Sequence, residues 1–144
     1  MKQSATKWVL GHKVTPCDVT GDYDFVLGET PAKVQGPPPH SHAQYNETFL
    51  ITEGEMEFMI NGDIKTYKAG DFIDLPPNTV HTFNNSSDAV CKWVNIHSPK
   101  GFRSFFETLG VPIEEADSQM KSVAEDKIKL VIETAANYDM LLKL

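Results

Sequence analysis

The sequence predicts an all-β domain, an antiparallel barrel or sandwich, followed by two C-terminal α-helices. Three observations carry this: short β-rich runs, turn signals about every eight to twelve residues, and a helical period that first appears near residue 100. Residues 8–10 and 14–19 read as strands before the Gly21-Asp22 turn, and 23–27 as the returning strand. The stretch 28–39 is rich in glycine and proline and ends in the stiff Gly36-Pro37-Pro38-Pro39. A β-rich run over 49–52 stops at Gly54. In 55–60, Met56, Phe58 and Ile60 recur at the two-residue period of a strand face. Asn61-Gly62 is a strong hairpin signal, since both residues tolerate the positive φ of a type I′ turn. Strands over 64–68, 71–75, 80–84 and 90–97 complete the series, with Pro76-Pro77-Asn78 as a tight turn.

After Ser98-Pro99 the period changes. Phe102, Phe105, Phe106 and Leu109 follow i, i+3, i+4, i+7, and Gly110 is a natural stop, so a short amphipathic helix is expected. Met120, Val123, Ala124, Ile128, Val131, Ile132 and Ala135 predict a second, longer helix with Asp117 or Ser118 as its cap. Both stripes read as packing surface. The tail over 138–144, with Met140, Leu141, Leu142 and Leu144, is too apolar to hang in water and is expected to dock on its own domain or on a second subunit.

The chain has 144 residues, 40% hydrophobic and 23% charged, a globular composition sized for one core. Its net charge is −7, with no cluster of Lys and Arg, so nucleic acid is excluded as a partner. The longest apolar runs are far too short for a membrane span, and the first residues lack the apolar run of a signal peptide, which places the protein in the cytoplasm. Cys17 and Cys91 show no metal or redox spacing and read as two buried free thiols.

The chemistry lies in the histidines. His40 and His42, two apart, project from one strand face. Glu47 follows across a polar turn, and His81 follows the Pro76-Pro77-Asn78 turn on a later strand. Imidazoles with one carboxylate suit a first-row transition metal, whereas calcium or magnesium would ask for more carboxylates. His12, beside Gly11, reads as a surface residue. His97, on a strand face with Trp93 and Asn95, reads as a hydrogen-bonded wall residue or a substrate contact.

At these residues the sequence resembles the cupins. The first cupin motif is matched by His40-Ser41-His42, four residues, Glu47, six residues and Gly54. The second is matched by Gly70, five residues, Pro76-Pro77-Asn78, two residues, His81, three residues and Asn85. Two glycines depart: Val34 stands where the first motif has one, with Gly36 nearby, and Asn78 stands where the second has one. Gly36–His42 and the block from Ser98 to Phe106 look like the small quercetin-dioxygenase-like cupins.

The resemblance implies a single antiparallel jelly-roll β-barrel over residues 1–100, with the motifs at 36–54 and 70–85. Residues 101–144 would form a helical extension packed on the barrel or on a dimer partner. It implies one divalent transition-metal ion (iron, manganese, nickel, cobalt, copper or zinc) held by His40, His42, Glu47 and His81, and a homodimer. The expected activity is metal-dependent dioxygenation of a small aromatic or enol substrate. Glu47 would be both ligand and catalytic proton acceptor, and Phe49, Ile51, Phe58, Phe83 and His97 would form the substrate pocket. A redox-neutral lyase, isomerase or decarboxylase, or a non-catalytic small-molecule binder, are the alternative expectations. The sugar-isomerase variant is disfavoured because Lys92 and Arg103 are not placed by spacing to reach a pocket, and the thiol dioxygenases usually lack the glutamate.

Overall fold

The computed structural model describes residues 5–143, so Met1–Ser4 and Leu144 of the apolar tail lie outside the described residues. Twelve strands form: β1 (Lys7–Val9), β2 (His12–Cys17), β3 (Asp24–Thr30), β4 (His40–Ser41), β5 (Asn46–Glu53), β6 (Glu55–Ile60), β7 (Asp63–Lys68), β8 (Phe72–Leu75), β9 (His81–Asn84), β10 (Cys91–Ser98), β11 (Val111–Pro112) and β12 (Leu141–Leu142). They build two antiparallel sheets, ordered β11-β1-β2-β3-β10-β5-β8 and β12-β4-β9-β6-β7. The sheets face each other in a jelly roll, the fold class the sequence predicts, without closing into one hydrogen-bonded barrel.

Alternation along the strands decides what points between the sheets. On β5, Glu47, Phe49 and Ile51 are buried; on β10, Cys91, Trp93, Asn95 and His97; on β6, Met56 and Phe58, with Ile60 packed partly against them. Phe49, Phe58, Phe83 and Trp93 meet mainly edge-on at centroid separations of 5.1 to 6.0 Å, a geometry aromatic quadrupoles favour. The β6–β7 hairpin turns at Asn61 (φ 50°) and Gly62 (φ 91°), as a type I′ turn requires. Gly36 is needed for close approach, because a Cβ there would fall 1.8 Å from the Phe83 carbonyl oxygen. That contact explains why the glycine sits at 36. Asn78 takes the left-handed conformation at φ 68°, so it does the work of the glycine it replaces.

The outer face of the larger sheet carries a cross-strand row of Leu27, Val94, Leu50 and Phe72 in direct register. Leu27, Leu50 and Phe72 are exposed. Cys17 and Cys91 are free thiols, Cys91 buried and Cys17 only half-buried. Among the described residues no helix is long and apolar enough to cross a membrane.

The helical region departs from expectation. α1 (Arg103–Leu109) forms as predicted and buries Phe105, Phe106 and Leu109. The longer helix is two: α2 (Ser118–Ser122) and α3 (Glu125–Thr134), separated by Val123 and an extended Ala124, with a 3₁₀ turn over Ala135–Tyr138. Ser122 is the cause. Its hydroxyl donates to the Gln119 carbonyl and accepts from the Gly11 N–H, which pins that turn against the β1–β2 connection. Asp117 is left-handed and makes no side-chain cap bond, and Met120, Val123, Ile128 and Ile132 are exposed. Only Val131 and Ala135 of the expected stripe are buried.

Candidate metal centre

Histidines from one sheet meet a carboxylate from the other. β4 and β9 place His40 directly opposite His81, and β5 places Glu47 opposite His97 of β10. His42 lies just past β4. Its ring centroid is 5.0 Å from that of His40 and 5.7 Å from that of His81. One ligand atom from each of His40, His42, Glu47 and His81 fits in a group whose members all lie within 4.8 Å of one another, and all four residues are buried.

Each of the three histidines commits one nitrogen to the backbone. Nδ1–H of His40 donates to the Pro38 carbonyl (2.9 Å), that of His81 to the Thr79 carbonyl (2.9 Å), and that of His42 to the Asp139 carbonyl (2.7 Å). This fixes the tautomer and turns Nε2 inward with its lone pair free. Glu47 Oε1 lies 2.8 Å from His81 Nε2 and 3.4 Å from His42 Nε2. Yet His42 Nε2, His81 Nε2 and Glu47 Oε1 are buried without a well-formed hydrogen bond. Buried polar atoms left in this state cost on the order of 1–3 kcal/mol each, and a divalent cation at their common focus would satisfy all of them. The donor set, three imidazoles and one carboxylate, fits a transition metal.

Electrostatics act differently on each member of the cluster. Burial, helped by the charges of His81 and His42 and opposed by Glu47, pushes His40 down to about 3, so its imidazole is neutral at physiological pH. At His42 burial also pushes downward, but the nearby Glu47 carboxylate, the bond to the Asp139 carbonyl and the charge of Asp139 outweigh it and the net shift is upward. Burial alone would raise Glu47. The charge of His97 and the close approach of the His42, His81 and His97 nitrogens overcome it and hold the carboxyl well below the usual range.

The second carboxylate oxygen is held separately. Glu47 Oε2 accepts from Asn95 Nδ2 at 2.9 Å and lies 3.0 Å from His97 Nε2, while the His97 ring stacks on Phe102 at 4.4 Å. An apolar cavity of about 60 Å³ opens beside the cluster. Phe49 and Phe83 line it, as do Trp93, Phe102 and Met140. Ile51 and Phe58 are fully buried in the core and do not reach its wall. His97 sits behind Glu47 rather than on the cavity surface. The motif asparagine, Asn85, is not at the centre. It donates to the Thr30, Pro31 and Ala89 carbonyls and accepts from Ser87, clamping the loop after β9 to the end of β3.

Sequence reasoning missed three contributors. His12 is buried in β2, not on the surface, because the turn closes at Leu10-Gly11 and strand alternation points the ring inward. Its Nε2 donates to the Gln35 carbonyl and its Nδ1 accepts from Thr30, whose hydroxyl accepts from the Trp93 indole. Asn95 was detectable by period two from His97. Asp139 carried no local signal.

The family model for the cupin domain matches residues 28–97. Quercetin 2,3-dioxygenase of Bacillus subtilis (strain 168) is 32% identical over 108 residues, covering 72% of this chain; the chain spans only 31% of that relative's length. Among solved structures, an RmlC-like cupin from Shewanella frigidimarina aligns with TM-score 0.60 at 21% identity, over 68% of this chain and 86% of that one. A cupin 2 conserved barrel domain protein from Salinispora arenicola aligns with TM-score 0.59 at 17% identity, over 72% and 88%. These structural likenesses concern the fold.

Proposed function

Given that the chain belongs to the cupin superfamily, we propose that it is a metal-dependent dioxygenase acting on a small enol or phenol. One observation carries the reading: His42 Nε2, His81 Nε2 and Glu47 Oε1 stay buried and unsatisfied while the Nδ1 of His40, His42 and His81 is tied to a carbonyl. His40, His42, Glu47 and His81 would hold the ion. When bound, the ion supplies Lewis acidity and, if redox-active, an electron path between substrate and dioxygen. The likeness to the Bacillus quercetin 2,3-dioxygenase supports oxygen chemistry over the redox-neutral alternatives.

The protein's own groups supply the rest. The aromatic wall of Phe49, Phe83, Phe102, Phe105 and Phe106 excludes bulk water and suits a flat, weakly polar substrate. Glu47 is ionised at neutral pH and can accept the hydroxyl proton of an acidic enol, with His97 Nε2 3.0 Å from its second oxygen. The cavity of about 60 Å³ holds a few waters. A substrate of flavonol size therefore requires the wall to open, and a compact enol is favoured.

The test is oxygen uptake by protein reconstituted with iron, manganese, nickel, cobalt or copper and offered a panel of small enols and phenols. Uptake equal to substrate consumed is expected. Glu47→Gln should lower turnover by about 100-fold or more while metal content falls far less. Conversion without oxygen uptake would replace dioxygenation by redox-neutral chemistry, and binding without conversion would leave a ligand-binding protein.

A further inference from the structure

We infer that residues 139–143 form a strap that is a working part of the metal centre, with Asp139 as the positioning residue for His42. The inference rests on the metal-site reading above. His40 and His81 are oriented by carbonyls two residues upstream, within their own loops. His42 is not. Its Nδ1–H donates to the carbonyl of Asp139, 97 residues away in sequence, and this contact of 2.7 Å is the shortest of the three.

Asp139 is built for that position. It ends the 3₁₀ turn in the left-handed conformation (φ 56°), which aspartate tolerates better than most residues. Its carboxylate accepts from the Ala43 N–H (3.0 Å) and the Gln44 N–H (2.8 Å), the two residues that follow His42. One residue thus grips the ligand's ring and the backbone that carries it. Next along the strap, Met140 is buried and lines the cavity. Leu141 and Leu142 pair with Ser41 and His40, and the Lys143 N–H donates to the Pro39 carbonyl at 2.8 Å. Every residue of the strap therefore touches the first ligand segment or the cavity. The region matched by the cupin model ends at residue 97, so the strap lies outside it.

Two consequences follow from thermodynamics. A docked strap presents His42 with one tautomer and one orientation, which raises metal affinity. By linkage, metal bound through His42 must hold the strap down by the same factor. Loading the metal and closing this side of the cavity become one equilibrium, and release of Met140 is the route by which a larger substrate would enter.

The experiment uses the full chain with Co(II) and Zn(II) as probes, their dissociation constants read by chelator competition. Asp139→Gly keeps the positive φ comfortable while deleting the carboxylate. It should weaken both metals by about 10- to 100-fold and shift the Co(II) absorption bands. Asp139→Asn, which keeps one acceptor, should fall between Gly and the unaltered chain. In the unaltered chain, Zn(II) should slow hydrogen exchange at the Ala43, Gln44 and Lys143 amides. Equal affinity and an unchanged Co(II) spectrum in Asp139→Gly, or strap amides indifferent to Zn(II), would overturn the inference while leaving the site intact. Failure of the unaltered chain to bind either metal would overturn the site reading and the inference with it.

Discussion

Each imidazole of the His40, His42 and His81 group spends one nitrogen on a backbone carbonyl and keeps the other for a shared focus. His12 shows the opposite arrangement, with both nitrogens used inside the protein: one on Gln35, the other on Thr30. Its neutrality is therefore structural. Burial, only partly opposed by the bond to the Gln35 carbonyl, lowers His12 to about 4 from the ordinary 6.5. The unfolded chain takes up this proton first as pH falls, so stability present above pH 6.5 is lost between about 6.5 and 4. The loss should approach about 3 kcal/mol at the lower end. Urea unfolding of chelator-treated protein across that range should show it, and His12→Gln should flatten the slope by that amount. An unchanged slope would mean that His12 titrates normally. The gathering of His40, His42, Glu47 and His81 was legible from the two-residue offset of the first pair together with the match to the cupin motifs. The burial of His12 was not, since one residue more or less in the preceding turn reverses which way it points.

At the scale of elements, the nine strands of three or more residues were legible to within a few residues at each end, because period-two patterns and glycine, proline and asparagine turns are local signals, whereas the two-residue β4, β11 and β12 were not in the expected series. The break between α2 and α3 was not local. It depends on a bond between Ser122 and the Gly11 N–H, 111 residues apart in sequence. The same holds for Gly36, whose need for glycine comes from the Phe83 backbone of β9. Gly36→Ala should therefore force β9 away from the segment leading to His40 and cost about 2–3 kcal/mol, measured by denaturant unfolding. A change below about 0.5 kcal/mol would show that the two backbones separate without strain.

At the scale of the molecule, two sheets bring a carboxylate and three imidazoles together from opposite sides, and α1 and the strap close the cavity beside them. The motif spacing carried the family and the cluster of His40, His42, Glu47 and His81. It could not carry the open sheet edges, the size of the cavity or the strap, because these depend on how segments far apart in sequence pack. The central claim is that His40, His42, Glu47 and His81 hold a metal ion. It is tested most directly by elemental analysis of the protein purified without chelator or affinity nickel, alongside His81→Ala. The account predicts about one equivalent of a divalent first-row metal in the unaltered protein and loss of nearly all of it in the variant. No metal as purified and none taken up on reconstitution, or equal content in both proteins, would contradict it.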